Sequence, residues 1–279
     1  MSPKTRNDGN GGNGNGGNGH GKTPAGDEAP AAPPQVTGKV LGREPPKPLI
    51  KRFYKNATVG EGAFFQILLD GRVVKTPAKR ALFLPTRQLA EAVAAEWSAQ
   101  SEFINPATMP LTRFSNTAID QVSAALGEVA SDITAYAGSD LVCYRAHEPD
   151  DLVALQSARW DPVVAWAREA LRAHFTVIKG VVPVEQPRTA IFAVGAALEP
   201  HEPFRLTGLH VLTTLTGSAL LALAHARGFL SAPDAWSAAH VDEDFQIKMW
   251  GADDEAAVRR KHRLSEFEAA SRLLTLLNA

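Results

Sequence analysis

The spacing of apolar residues divides this chain into a strand-like first part and a helical remainder. Phe53 to Leu84 reads as strands, and Ala63-Phe64-Phe65-Gln66-Ile67-Leu68-Leu69 is dense in strand formers. Asp70-Gly71 is a hairpin signal, because glycine accepts the positive φ that a two-residue turn requires. Arg72-Val73-Val74-Lys75 is the return strand, ended by Thr76-Pro77, and Ala81-Leu82-Phe83-Leu84 is a third strand stopped by Pro85. Thr86 then caps a helix in which Leu89, Val93 and Trp97 recur every four residues beside Ala90 and Ala94, a face that packs on the sheet.

From Thr112 onward the period is helical. Phe114, Ile119, Val122 and Leu126 predict one helix, and Ile133 to Tyr136 belong to another. Leu152, Leu155, Val163, Trp166 and Leu171 follow, with an interruption expected at Asp161-Pro162. Gly180 to Pro187 is a loop with a short extended piece, and two or three helices are expected beyond it. Leu206 to Leu230 is the most apolar region. Polar residues from Thr207 to Arg227 interrupt it, so it predicts a buried helix and not the ~20 apolar residues of a membrane span.

Ser231 to Gly251 predicts one further helix, with Ser231 as N-cap, Pro233 in the first turn and Gly251 as the stop. Trp236, His240, Glu243, Ile247 and Trp250 share one stripe of it, while Val241, Phe245 and Met249 form a second. Glu243 lies in an otherwise apolar stripe between two tryptophans. A carboxylate there must find a partner, be neutralised, or face something outside this chain.

Composition separates the first 48 residues from the rest. Gly9 to Gly19 consists only of Gly and Asn, and a stretch rich in Ala and Pro follows. Such a segment buries too little apolar surface to offset its ordering entropy, so a disordered tail is expected at 1–48. It has no apolar signal core, and its glycines match a dinucleotide-binding pattern without the strand and helix that pattern needs. The expected class is α+β: a small N-terminal α/β domain at 49–120, with antiparallel strands and a packed helix, then an all-helical domain at 121–279.

The 279 residues carry a net charge of −1 and one cysteine, Cys143. No intrachain disulfide is possible, and bulk charge makes no case for nucleic acid. The basic run Arg43, Lys47, Lys51, Arg52, Lys55 reads as a solvated linker entering the first strand. His147-Glu148 and His201-Glu202 begin like a zinc-protease helix, but Asp151 and Arg205 stand where the second histidine belongs. No cysteine pair, phosphate loop or nucleophile elbow is present, so no metal, cofactor or catalytic residue is assigned. An enzyme with a site formed only in three dimensions is the alternative. A solvent-reachable pocket with Glu243 beside a histidine would favour it, and a shallow groove or flat apolar patch would favour a binding protein.

Separated segments together carry a resemblance. They are Lys51-Arg52-Phe53-Tyr54-Lys55, Leu69-Asp70-Gly71-Arg72 with Lys75-Thr76-Pro77, Glu96-Trp97 with Gln100, and Met109-Pro110-Leu111-Thr112. Asn116-Thr117-Ala118-Ile119-Asp120, Asp140 to Arg145, Gln156, Trp160-Asp161-Pro162 and Glu243 to Gly251 continue it. In this order, from about Lys51 to the C-terminus, they resemble the ATP synthase assembly chaperones that serve the α subunit of the F1 sector. The resemblance implies a protein that binds free α, shields a surface prone to aggregate and yields to the β subunit. It implies no catalysis and no cofactor. It maps a functionally important glutamate best onto Glu243, within one residue, and places Trp97 at a position that tolerates change poorly.

Partner-binding is therefore expected of Glu243, Asp242, Asp244, Gln246 and Trp250, and a structural role of Trp97, Asp70 and Gly71. Plainer readings stand beside these. Glu243 could bridge Arg259, Arg260 or Arg263; Phe245, Gln246 and Trp250 could be core; Phe53 and Tyr54 could be a strand edge or a binding edge. A monomer with no membrane insertion is expected. The Ala-rich, Lys-poor composition without a visible presequence points to the bacterial cytoplasm before the mitochondrial matrix.

Overall fold

A computed structural model describes residues 48–278 except 61, 63, 181 and 183. The expected disordered tail lies outside the described residues apart from Pro48. The fold is α+β. Strand β1 (Ile50–Lys51) pairs antiparallel with β6 (Phe103–Ile104) as a short ribbon. Strands β2 (Ala57–Gly60), β3 (Phe65–Leu69), β4 (Arg72–Val73) and β5 (Phe83–Leu84) make an antiparallel sheet in which β3 pairs with the other three. Asp70 and Gly71 link β3 to β4 with φ of 47° and 81°, the left-handed pair that the turn signal anticipated. The Asp70 carboxylate accepts the N–H groups of Lys55 at 3.0 Å and Asn56 at 2.9 Å, which ties the chain entering β2 to the hairpin.

Helix α1 (Arg87–Ser98) lies across β2 and β3 with Leu89, Ala90 and Val93 fully buried, and Thr86 accepts the Leu89 N–H as its cap. Helices α2 (Pro110–Asp120), α3 (Leu126–Tyr136), α4 (Asp150–Ala170), α5 (Arg188–Ala196), α6 (Pro203–Thr216), α7 (Ala219–Ala226), α8 (Ala232–Ala239), α9 (Val241–Trp250) and α10 (Asp254–Leu277) complete the chain. Between them, β7 (Tyr144–Arg145) and β8 (Ile178–Lys179) form one parallel pair. Helix α6 is central, packed on α2, α3, α7 and α10. From Pro48 onward the chain forms one compact unit, and the apolar side chains under the sheet join those between the helices in a single core. Across the expected boundary at 120/121, α2 packs on α6 and α10, and Arg113 on α2 meets Glu266 on α10 at 2.6 Å.

The helical pattern departs from expectation in four places. Helix α4 runs through Asp161-Pro162 without interruption. A proline inside a helix costs about 3 kcal/mol; here Trp160, Val163 and Ala167, all essentially without solvent contact, hold both sides of it in the core. The expected helix from Phe114 to Leu126 is two helices joined by a short 3-10 turn at Val122–Ala124. The region from Leu206 to Leu230 is also two helices, because Gly217 at φ 67° ends α6 and Ser218 caps α7. Beyond Pro187 the described residues hold six helices where two or three were expected, and one of the added breaks falls at His240.

Candidate functional site

Ser231, Pro233 and Gly251 mark the ends expected of them, but the helix between is split. Ser231 accepts the Asp234 N–H, and Gly251 at φ 89° terminates α9. At His240 (φ −119°, ψ 21°) the backbone leaves the helix. The cause is local: the His240 ring Nδ1 bonds the Trp236 carbonyl at 2.8 Å, where the next helical N–H would otherwise donate. His240 is 3% exposed and stacks beside Trp236, with ring centroids 3.8 Å apart.

The break re-aims α9. The expected stripes are buried at their start, through Trp236, Val241 and Phe245, and emerge at their end: Met249 is 57% and Trp250 78% exposed. The core reading holds for Phe245 and fails for Gln246 and Trp250, which are exposed. Helix α10 starts directly after α9, capped by Asp253, and its fully buried residues begin only at Phe267. Its first turns therefore stand away from the core. Between them and α9 runs a groove of about 510 Å³ lined by Ile247, Trp250, Ala256, Ala257 and Leu264, with Glu243 and Arg260 at one end. Val258 adds a further exposed apolar side chain on α10.

The three acidic residues of α9 differ in their commitments. Asp242 accepts a hydrogen bond at 2.7 Å from the buried Gln156 on α4, whose carbonyl oxygens accept from Arg145 and from the Ala146 N–H. Asp244 is paired with Arg260 at 2.5 Å. Glu243 lies between Arg260 at 3.7 Å and His240 Nε2 at 3.9 Å, and among the described residues it makes no hydrogen bond. Of Arg259, Arg260 and Arg263, only Arg260 approaches it. Arg259 turns to Glu255 and Asp253, and Arg263 donates to the Leu215 carbonyl. Burial lowers the affinity of His240 for a proton, with Arg263 and Arg260 adding to the effect, so the ring is neutral at pH 7. Glu243, Gln246 and Trp250 thus line the groove, Asp244 borders it through Arg260, and Asp242 fastens α9 to α4.

The remaining motif residues fasten the fold. The Arg52 guanidinium donates to the carbonyls of Tyr54, Lys55 and Gln100 and stacks on the Tyr54 ring at 4.7 Å, so the centre of the basic run is engaged internally. Phe53 is exposed and Tyr54 buried, its hydroxyl on the Trp97 carbonyl at 2.7 Å. Glu96 accepts the N–H groups of Leu111 and Thr112 and the Thr112 hydroxyl, capping α2. Gln100 bridges Glu96 and the loop at Asn105. Asp140 is fully buried and caps α7 through Ser218 at 2.5 Å and the Leu220 N–H at 3.0 Å. Burial pushes the Cys143 thiol up to about 12, with Asp140 adding to it, so it offers no thiolate.

A wider hollow of about 930 Å³ lies where α6, α7 and α10 meet, but its polar groups are engaged. His225 bonds Leu230 and Ser271 through both ring nitrogens, and Arg227 donates to the Ala197 carbonyl. Among the described residues no cluster of His, Cys, Asp and Glu could hold a metal ion, and no helix is long and apolar enough to cross a membrane.

The architecture and the sequence both have counterparts. The family model for ATP12 chaperone protein matches residues 51–168, a range that ends before the groove. A structure from Agrobacterium tumefaciens, described as a candidate chaperone, superimposes with a TM-score of 0.80 at 47% identity, over 83% of this chain and 88% of that one. Atp12 from Paracoccus denitrificans gives a TM-score of 0.79 at 40% identity, over 82% of this chain and 98% of its own length. Identity at this level over 88% and 98% of the two relatives extends the likeness well past the matched range, and the chain belongs to the ATP12 chaperone family.

Proposed function

We propose that this protein is an assembly chaperone for the F1 sector of ATP synthase, which binds the free α subunit and shields its interface until the β subunit replaces it. The observation that carries this reading is the groove between α9 and α10. A holding protein needs exposed apolar area that does not drive self-association, and an affinity that the final partner can exceed. Trp250, Met249 and Val258 supply the apolar area, and the charged residues around them keep it soluble. Glu243 keeps its lone pairs open on the groove while both neighbouring aspartates are engaged. In this reading the protein acts as a monomer in the bacterial cytoplasm, without cofactor or catalysis.

One arrangement favours an enzyme: a glutamate beside a histidine at a groove. His240 is buried outside the groove lining, however, and its 3.9 Å separation from Glu243 is too long for proton transfer between them. The chaperone reading is tested by size-exclusion chromatography of the protein with the F1 α subunit of its own organism, with β alone as control. A complex with α that β dissolves is expected. Failure to bind freshly refolded α or to keep it soluble would reject the reading.

A further inference from the structure

Glu243 and His240 present two hydrogen-bond acceptors to each other. The Nδ1 of His240 faces the Trp236 carbonyl at 2.8 Å, so that nitrogen carries the proton of the neutral ring and Nε2 is a lone pair. This Nε2 has no hydrogen-bond partner, and the nearest polar group is the Glu243 carboxylate at 3.9 Å. Neither group can donate to the other. Nε2 is closed to solvent and lies outside the groove lining, so of the two acceptors only the Glu243 carboxylate is open to a bound segment.

The charges around the pair leave room for one more cation. Asp242, Glu243 and Asp244 carry three negative charges, and Arg260, lying closer to Asp244 than to Glu243, and Arg263 supply two positive charges. Arg263 donates to the Leu215 carbonyl, a neutral group that leaves its charge acting on His240, and the exposed Lys261 is matched by Asp253 in the same lining. Beside this site the groove is apolar through Ile247, Trp250 and Leu264, wide enough for one or two large side chains. Apolar floor and uncompensated acceptor together specify what fits.

We infer that the segment bound in this groove is an apolar stretch of the client bearing one Lys or Arg, whose cation is received by the Glu243 carboxylate. This rests on the reading of the groove as the α-subunit site and adds the chemistry of the bound segment. A charge-assisted contact of this kind also fits a client that must be released, because its strength depends on one removable charge pair.

The test is a binding titration of F1 α against the intact protein and two variants, each checked for an unchanged melting curve. Glu243→Gln keeps the shape and removes the charge; a loss of about tenfold in affinity and a flatter salt dependence are expected. Lys and Arg residues on the α surface are then changed singly to Ala. One of them should reproduce the Glu243→Gln loss and add nothing when combined with it. Unchanged affinity of Glu243→Gln, or additive losses with every basic residue of α, overturns the inference. The second variant, Trp250→Ala, separates the two readings. If it weakens binding while Glu243→Gln does not, the groove stands and the cation falls; if neither matters, both fall.

Discussion

The carboxamide of Gln156 donates to Asp242 at 2.7 Å and so ties the middle of α4 to the first turn of α9. Four residues further along α4, the Trp160 indole donates to the Ala238 carbonyl at 2.7 Å, at the end of α8. Two adjacent positions of one helix thus hold both sides of the His240 break. The groove is set by this fastening, because the break directs Trp250 outward.

Asp242→Ala is therefore expected to act on stability and not on capture. It leaves the buried Gln156 amide without its partner, at a cost of about 1–3 kcal/mol. Urea unfolding would show the loss, while the folded fraction would bind α with wild-type affinity. A variant as stable as the wild type that binds poorly would instead place Asp242 in the interface.

Trp97 makes a contrasting case at the other end of the fold. Its ring is half-buried against Tyr54, with centroids 5.8 Å apart, and its carbonyl takes the Tyr54 hydroxyl. Trp97→Ala removes that packing next to the Arg52 anchor, and a loss of about 2–4 kcal/mol is expected in chemical denaturation, short of the full cost for a wholly buried indole. A change below about 0.5 kcal/mol would show that the sheet and α1 do not depend on it.

The parts of this fold that follow from local pattern were legible in the sequence, and the parts set by tertiary contact were not. Asp70-Gly71, the Thr86 cap and the Ser231 cap use side-chain chemistry within four residues, and each forms as the spacing predicts. The continuity of α4 through Pro162 depends on a core that the proline's own neighbours do not reveal. The break at His240 depends on a ring nitrogen reaching back to Trp236, which periodicity treats as one more helical position. The same limit applies to the acidic run. Asp242, Glu243 and Asp244 look alike in sequence, and only Gln156 and Arg260, 86 residues before and 16 after their nearest partners, make them different. The β1–β6 ribbon and the β7–β8 pair leave no mark in the sequence, because two-residue strands carry no period.

Asp140 gives a pH dependence of stability with a definite sign. Burial raises its carboxyl to about 6, against the lowering effect of Ser218 and the backbone N–H groups of α7. The folded protein thus holds this proton more tightly than the unfolded chain does. Its contribution is fully present below the unfolded value of 3.8 and is lost as pH rises through about 6. Asp140→Asn removes the titration. The stability of the wild type relative to this variant should therefore fall between pH 4 and 7, by at most about 3 kcal/mol. His240 works in the opposite direction, since its depressed proton affinity withdraws stability as pH falls, and it is common to both proteins, so the difference isolates Asp140. A difference that stays flat across this range would mean the carboxylate is ionised in the fold throughout.

Trp250→Ala separates exposure from use. At 78% exposed, the indole contributes little to the core, and its removal should change stability by no more than about 0.5 kcal/mol. Its apolar face nevertheless forms one wall of the groove, opposite Ala256 and Ala257. Aromatic side chains of this kind dominate the energetics of protein contacts, and truncating one in the centre of an interface costs about 2 kcal/mol or more. The variant should melt with the wild type, yet retain α some thirtyfold less tightly and leave more of it in the pellet when α is refolded alongside. Equal retention would move the client surface away from α9, and the exposed Phe103 on the β1–β6 ribbon, with the exposed Phe53 just after β1, would become the next apolar side chains to truncate.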